Sequence, residues 1–275
     1  MSTQPGAERR RTTVRDLLDM KQRGVPIVAV TAYDYLFARI VDESGVDVVL
    51  VGDSVGQVFA GYDSTLPVTI DDMIYHTRAV RRGVKHALLV VDMPFMSFQV
   101  SAAETLRNAG RMLKETGAEA VKLEGGDEET AGYVRTLVRA GIPVMGHIGL
   151  TPQSVHVLGG YRVQGRDSVA AERLHEEAGR LEEAGAFSMV MEVVPAALAA
   201  EITSIVSIPT IGIGAGAGVD GQVLVLPDML GLNDTFKPKF LRRFAELGDA
   251  AREGVRSYAE AVRNRSYPDA GHSFE

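Results

Sequence analysis

Five short apolar runs in this chain each stop on a residue able to do acid, base or metal chemistry. Val48-Val49-Leu50-Val51-Gly52 gives way to Asp53-Ser54, Leu88-Leu89-Val90-Val91 to Asp92, and Ala120-Val121 to Lys122-Leu123-Glu124. Pro143-Val144-Met145-Gly146 gives way to His147, and Ser188-Met189-Val190-Met191 to Glu192. In a parallel α/β protein all strands present their carboxyl ends on one face, where active sites are built. The five endings therefore point to one shared site.

Asp53, Asp92 and Glu124 form an oxygen-rich, histidine-poor set, which suits Mg²⁺ or Mn²⁺ better than Zn²⁺. Each acid alone reads better as a helix cap or an arginine partner, but three closing successive strands favour a hard divalent cation. Lys122 and Glu124 share parity and project to the same side of their strand, leaving Val121 and Leu123 to the helices. Lys122 is open to three roles: structural ion pair, Schiff-base nucleophile or clamp for an anionic oxygen. His147 is a proton carrier, a ligand or a core histidine. Glu192 interrupts an apolar stretch from Phe187 to Val194, where an unpaired carboxylate is costly, and burial there would tune it as a general base. Gly212-Ile213-Gly214-Ala215-Gly216 offers backbone amides to a phosphate, but with no matching glycine turn after Val223-Leu224-Val225-Leu226 a tight turn is the better reading.

The elements that must position these residues alternate. Strands are expected at 26–31, 47–52, 87–92, 120–124, 142–147, 187–192, 208–213 and 222–226, with helices at 13–23, 33–44, 69–82, 101–116, 127–140, 168–184 and 196–206. Thr69, Ser101 and Ser168 carry helix-start signals, and Gly83, Gly117, Gly141 and Gly185 helix stops. Eight strands with right-handed helical crossovers predict a (β/α)8 barrel with an N-terminal helix and a C-terminal helical extension, an open doubly wound sheet being the alternative. The expected division is a loose tail over 1–12, a catalytic barrel over 13–265 and a second tail over 266–275, with one or two amphipathic helices at 236–264. Two long connections, 53–68 and 148–167, follow candidate site residues and suit either a lid or plain irregularity.

The 275 residues are long for one domain but normal for an α/β barrel. A net charge of −7 argues against a general nucleic-acid surface. Of the basic clusters, Arg9-Arg10-Arg11 belongs to the tail, and Arg78, Arg81, Arg82, Lys85 and His86 suit the carboxyl end of a helix. With no cysteine there is neither a disulfide framework nor a thiolate metal site. No apolar leader or membrane-length apolar run is present, so a cytoplasmic protein with no membrane partner is expected.

Read together, these blocks resemble the ketopantoate hydroxymethyltransferase family from about Thr13 to Tyr258. The resemblance runs through Thr31-Ala32-Tyr33-Asp34, Val51-Gly52-Asp53-Ser54, Asp92-Met93-Pro94-Phe95-Met96, Val121-Lys122-Leu123-Glu124-Gly125-Gly126, Gly146-His147-Ile148-Gly149-Leu150-Thr151-Pro152-Gln153 and Asp220-Gly221-Gln222-Val223-Leu224-Val225. It implies Mg²⁺, one per subunit, on Asp53 and Asp92 with Glu124 in or just beyond its shell. Substrate contacts are implied from Asp53, Ser54, Asp92, Lys122 and His147, and Glu192 as proton acceptor. It further implies 5,10-methylenetetrahydrofolate as one-carbon donor, 3-methyl-2-oxobutanoate as acceptor, a stabilised enolate between them, and a homodecamer of two pentameric rings. Gly216-Ala217-Gly218-Val219 departs from the longer, cysteine-containing family version. A metal-dependent carbon–carbon lyase on a related barrel is the rival enzyme, although such lyases carry an active-loop cysteine that this chain lacks. A catalytically silent barrel acting as a binding module is the rival from another class, yet its strand-end residues would be degraded, and these are not.

Overall fold

Eight parallel strands close on themselves in sequence order: β1 (Ile27–Thr31), β2 (Val48–Val51), β3 (Leu88–Asp92), β4 (Ala120–Lys122), β5 (Val144–Gly149), β6 (Ser188–Glu192), β7 (Thr210–Ile213) and β8 (Gly221–Leu224), with β8 pairing back onto β1. The structure is a computed structural model and describes residues 9–274. The closed (β/α)8 barrel excludes the open doubly wound sheet, because an open sheet would leave β1 and β8 unpaired.

The helices are α1 (Val14–Gln22), α2 (Tyr35–Glu43), α3 (Val55–Val58), α4 (Ile70–Gly83), α5 (Ala102–Thr116), α6 (Glu128–Arg139), α7 (Ser168–Glu183), α8 (Ala196–Ile205), α9 (Leu226–Met229) and α10 (Leu247–Arg263). Local chemistry sets their ends. Thr13 with Asp16, and Thr69 with Asp72, close reciprocal capping boxes on α1 and α4. The start signal expected at Ser168 belongs instead to Asp167, whose carboxylate accepts from Ala170 N. Gly117 ends α5 in the left-handed region, which glycine enters without steric cost.

Inside the barrel lie Ile27 and Ala29 of β1, Val48 and Leu50 of β2, Leu88 and Val90 of β3, Ala120 of β4, Met145 of β5, Val190 of β6, Ile211 of β7 and Val223 of β8. Side chains on a strand alternate faces, so the next inward positions toward the carboxyl ends are Asp92, Lys122, His147 and Glu192. The apolar plug is thus the floor on which the polar residues stand. Burying each large aliphatic side chain contributes about 1.5–3 kcal/mol, and this floor offsets the cost of the charges above it.

The described residues divide into two units, one ending at Val225 and one beginning at Leu226. That boundary falls inside the 13–265 span expected as one domain, because β8 completes the sheet and only helical and irregular segments follow. In the second unit only 247–263 of the expected 236–264 helical region forms a long helix. Residues 1–8 of the expected loose tail lie outside the described residues. Residues 9–12 are tied down rather than loose: Arg9 donates to the carbonyls of Asp42 and Val46, Arg11 pairs with Glu119, and Thr12 N donates to His86 O. No helix is long and apolar enough to cross a membrane, among the described residues.

Candidate active site

At the carboxyl end of the barrel the five strand endings meet. Asp53, Asp92, Lys122, Glu124 and His147 are all buried, and the Glu192 side chain keeps 18% of its surface exposed. Strand register explains the meeting. Asp92 sits beside Lys122 across β3 and β4, and His147 stands one inward step above Met145, the neighbour of Lys122 on β5.

Lys122 Nζ lies 2.9 Å from Asp92 Oδ1, an ion pair whose angle misses that of a hydrogen bond. The second Asp92 oxygen accepts from Asp53 N at 3.1 Å. His147 stands between two carboxylates, with Nδ1 3.4 Å from Glu124 Oε1 and Nε2 3.3 Å from Glu192 Oε2. His147 is thus a buried histidine whose two ring nitrogens both face carboxylates. Glu192, whose place in an apolar stretch called for a partner, has one, because its inward parity turns it to the barrel mouth and His147.

The charges are tightly interdependent. Burial opposes the ammonium of Lys122, but Asp92, Glu124 and Asp53 together hold it protonated above the usual lysine range. Burial and the Lys122 charge both work against protonation of His147, yet its contacts with Glu124 and Glu192 prevail and push its pKa up to about 9. Lys122 Nζ also lies 3.3 Å from His147 Nδ1, a hydrogen bond when that nitrogen carries no proton. Burial, then Glu124 and Asp92, raise the Asp53 carboxyl well above the ordinary carboxylate range. Burial raises Asp92 as well, against the pull of Lys122. For Glu124 burial is outweighed by His147 and Lys122, so it stays ionised below its usual range.

Four carboxyl groups thus crowd two basic side chains in a buried cluster. A divalent cation would let Asp53 and Asp92 ionise together, and the hard oxygen donors suit Mg²⁺ or Mn²⁺. Asp53 and Asp92 could hold it. Glu124, expected as a third ligand, has its oxygens engaged by Gln153 N at 2.9 Å and by His147, and no three such side chains converge into a ready cation cage among the described residues. Mg²⁺ commonly takes one or two carboxylates and completes its shell with water and substrate.

Ser54 Oγ and the Tyr33 hydroxyl share a hydrogen bond at 2.8 Å at the rim, below the first turn of α3. Sequence reasoning missed Tyr33 and, more consequentially, Gln153. The buried Gln153 side chain donates from Nε2 to Asp53 Oδ2 and to Met93 O, both at 2.9 Å. Its signal was its place six residues after His147, inside a long loop that otherwise looked like a lid. Val193, directly after Glu192, has φ of 50°, which a β-branched residue adopts only under strain, and such strain gathers at functional sites. The glycine-rich stretch after β7 packs closely, since a Cβ on Gly216 would come within 2.4 Å of Ala196 Cβ.

The family model for ketopantoate hydroxymethyltransferase matches residues 11–270. The chain belongs to that family. A relative from Syntrophus aciditrophicus, a 3-methyl-2-oxobutanoate hydroxymethyltransferase, is 55% identical over all of both chains. One of the same name from Pelobacter propionicus is 56% identical over 97% of this chain and 98% of its own. Among solved structures, phosphonopyruvate hydrolase in complex with oxalate and Mg²⁺ superposes with a TM-score of 0.61 at 13% identity, covering 95% of this chain and 93% of that one. The 2,3-dimethylmalate lyase of the PEP mutase/isocitrate lyase superfamily gives 0.58 at 15% identity, over 92% and 88%. At such identities these two report the shared barrel fold alone.

Proposed function

We propose that this chain transfers a hydroxymethyl group from 5,10-methylenetetrahydrofolate to 3-methyl-2-oxobutanoate, giving 2-dehydropantoate. The observation that carries the mechanism is His147 held between Glu124 and Glu192, beside the Asp92–Lys122 pair, in a member of the ketopantoate hydroxymethyltransferase family. Asp53 and Asp92 would hold a divalent cation, Mg²⁺ or Mn²⁺, which when bound polarises the oxygens of a 2-oxo acid.

Lys122, kept protonated by three carboxylates, binds an anionic substrate oxygen, and its charge argues against a free-amine nucleophile. Glu192 is the carboxylate nearest open space and takes the C3 proton. Protonated His147 lies against it, stabilises the ionised base and limits its orientations. The C3 carbon, carrying the electron pair left by that proton, bonds to the methylene carbon, water supplies the hydroxyl oxygen, and both carbon–nitrogen bonds of the folate break, the C3 proton and the second water proton going to the two nitrogens of the departing tetrahydrofolate. Ser54 and Tyr33 lie at the rim, where the acceptor enters. The long α10 helix exposes Val255, Tyr258 and Val262, an apolar face suited to contact with further copies in the decamer we assign to this cytoplasmic enzyme.

The test is proton exchange at C3 of 3-methyl-2-oxobutanoate in D₂O, followed by NMR with and without Mg²⁺ and tetrahydrofolate. Exchange that requires the cation is expected. Absence of exchange under every condition would overturn the enolate reading.

A further inference from the structure

The 148–167 segment is anchored to the backbone carbonyls of the candidate base, Glu192, and of Val193 after it. Leu150 N donates to Glu192 O at 2.8 Å and Gln164 N to Val193 O at 3.0 Å. Gly149 makes the first tie possible, because a Cβ there would meet Glu192 O at 2.3 Å. Between the two ties the chain turns over Pro152–Ser154 and sets Gln153 down on the opposite side of the mouth, against Asp53, Met93 and Glu124.

Gln153 has almost no freedom in that place. Its Nε2 has two acceptors, the Asp53 carboxylate and the Met93 carbonyl, and uses both hydrogens on them. Its Oε1 accepts from Gln99 Nε2 at 3.0 Å, so the amide cannot flip without losing all three bonds. Its backbone N–H is spent on Glu124. A buried amide with every donor matched, two of them to site carboxylates, rigidifies the groups it touches.

We propose that Gln153 is the positioning residue of the cation site: its amide fixes one oxygen of Asp53, its N–H holds Glu124 against His147, and Gln99 locks its orientation. This inference rests on the reading of Asp53 and Asp92 as cation ligands. Groups that orient metal ligands from behind change affinity by about 10–100-fold when removed.

The experiment measures Mn²⁺ affinity by paramagnetic resonance of the free ion, on the full chain, for the parent, Gln153→Leu and Gln99→Leu, with circular dichroism to confirm folding. Gln153→Leu is expected to weaken Mn²⁺ binding by about 10–100-fold. Gln99→Leu should weaken it in the same direction by less. C3 exchange by Gln153→Leu should recover as Mn²⁺ is raised, because Glu192 is untouched; a merely structural defect would not be rescued. Parent-like Mn²⁺ affinity in both variants overturns the proposal and leaves the cation site standing. If Gln153→Leu does not fold, Gln99→Leu decides alone on the same criterion. A parent that binds no Mn²⁺ overturns the cation reading and this inference with it.

Discussion

The two ends of the barrel treat charge in opposite ways. At the amino ends of the strands, Asp220 accepts from Lys21 Nζ at 2.8 Å, from Thr210 N at 2.9 Å and from Thr210 Oγ1 at 3.0 Å, while Lys21 also donates to Thr203 O. Buried Asp42 accepts from the backbone of Lys85, His86 and Ala87, and Glu119 takes Leu89 N together with Arg11. There each carboxylate is met by well-aligned donors. At the carboxyl ends, carboxyl groups outnumber basic ones, the Lys122–Asp92 pair lacks hydrogen-bond alignment, and Lys122 Nζ crowds His147 Nδ1 at 3.3 Å. A fold that meets its carboxylates with aligned donors at one pole and crowds them at the other is spending stability on a site.

The largest effect that would sharpen this contrast is at Glu192. Glu192→Gln keeps the shape and removes the base, so C3 exchange measured by NMR should fall by about 10²–10⁴-fold with melting temperature and Mn²⁺ affinity retained. Exchange at the parental rate would move the base elsewhere, with His147 the first to examine.

Next come paired substitutions, one at each pole. Lys21→Met strands a largely buried Asp220 and should cost about 1–3 kcal/mol. Calorimetry should show the melting temperature falling by about 2–4 °C for each kcal/mol, with turnover unchanged. Asp53→Asn removes one of the crowded carboxylates and keeps an oxygen for Gln153. Without metal its melting temperature should rise, and Mn²⁺ affinity should drop. If Asp53→Asn destabilises the metal-free protein as Lys21→Met does, the contrast between poles fails.

The smallest expected effect lies far from both. Thr69→Ala opens the α4 capping box and should cost about 1 kcal/mol, seen as a modest loss of thermal stability. Bonds from Thr69 lower the Asp72 carboxyl below 3.8. The stability carried by ionised Asp72 is thus complete above its unfolded-state value and is lost as pH falls through the folded one. Thermal melts from pH 5 to pH 2 should show the gap between parent and Thr69→Ala narrowing over that acid range.

Eight strands, the alternation with helices and the shared parity of Lys122 and Glu124 were legible in the sequence, because periodicity and turn residues act over a few neighbours. Closure of the barrel, favoured by strand number but left open against a doubly wound sheet, was decided by β8 pairing back onto β1. The alternatives left open at Lys122 and His147 could not be decided there, since each turns on partners from other strands. Burial of Asp53 among like charges brings together β2, β3 and β4, and the engagement of Glu124 by His147 and Gln153 draws on β5 and the segment after it. Gln153 meets Asp53 across 100 residues of chain, a distance no local pattern spans. Sequence by itself determined which chemistry-bearing residues end the strands, because backbone geometry dictates that from neighbour to neighbour. Only the tertiary structure decided which of them pair, which are left with excess charge and which residue holds them in place, because those outcomes depend on through-space distance and on the exclusion of water.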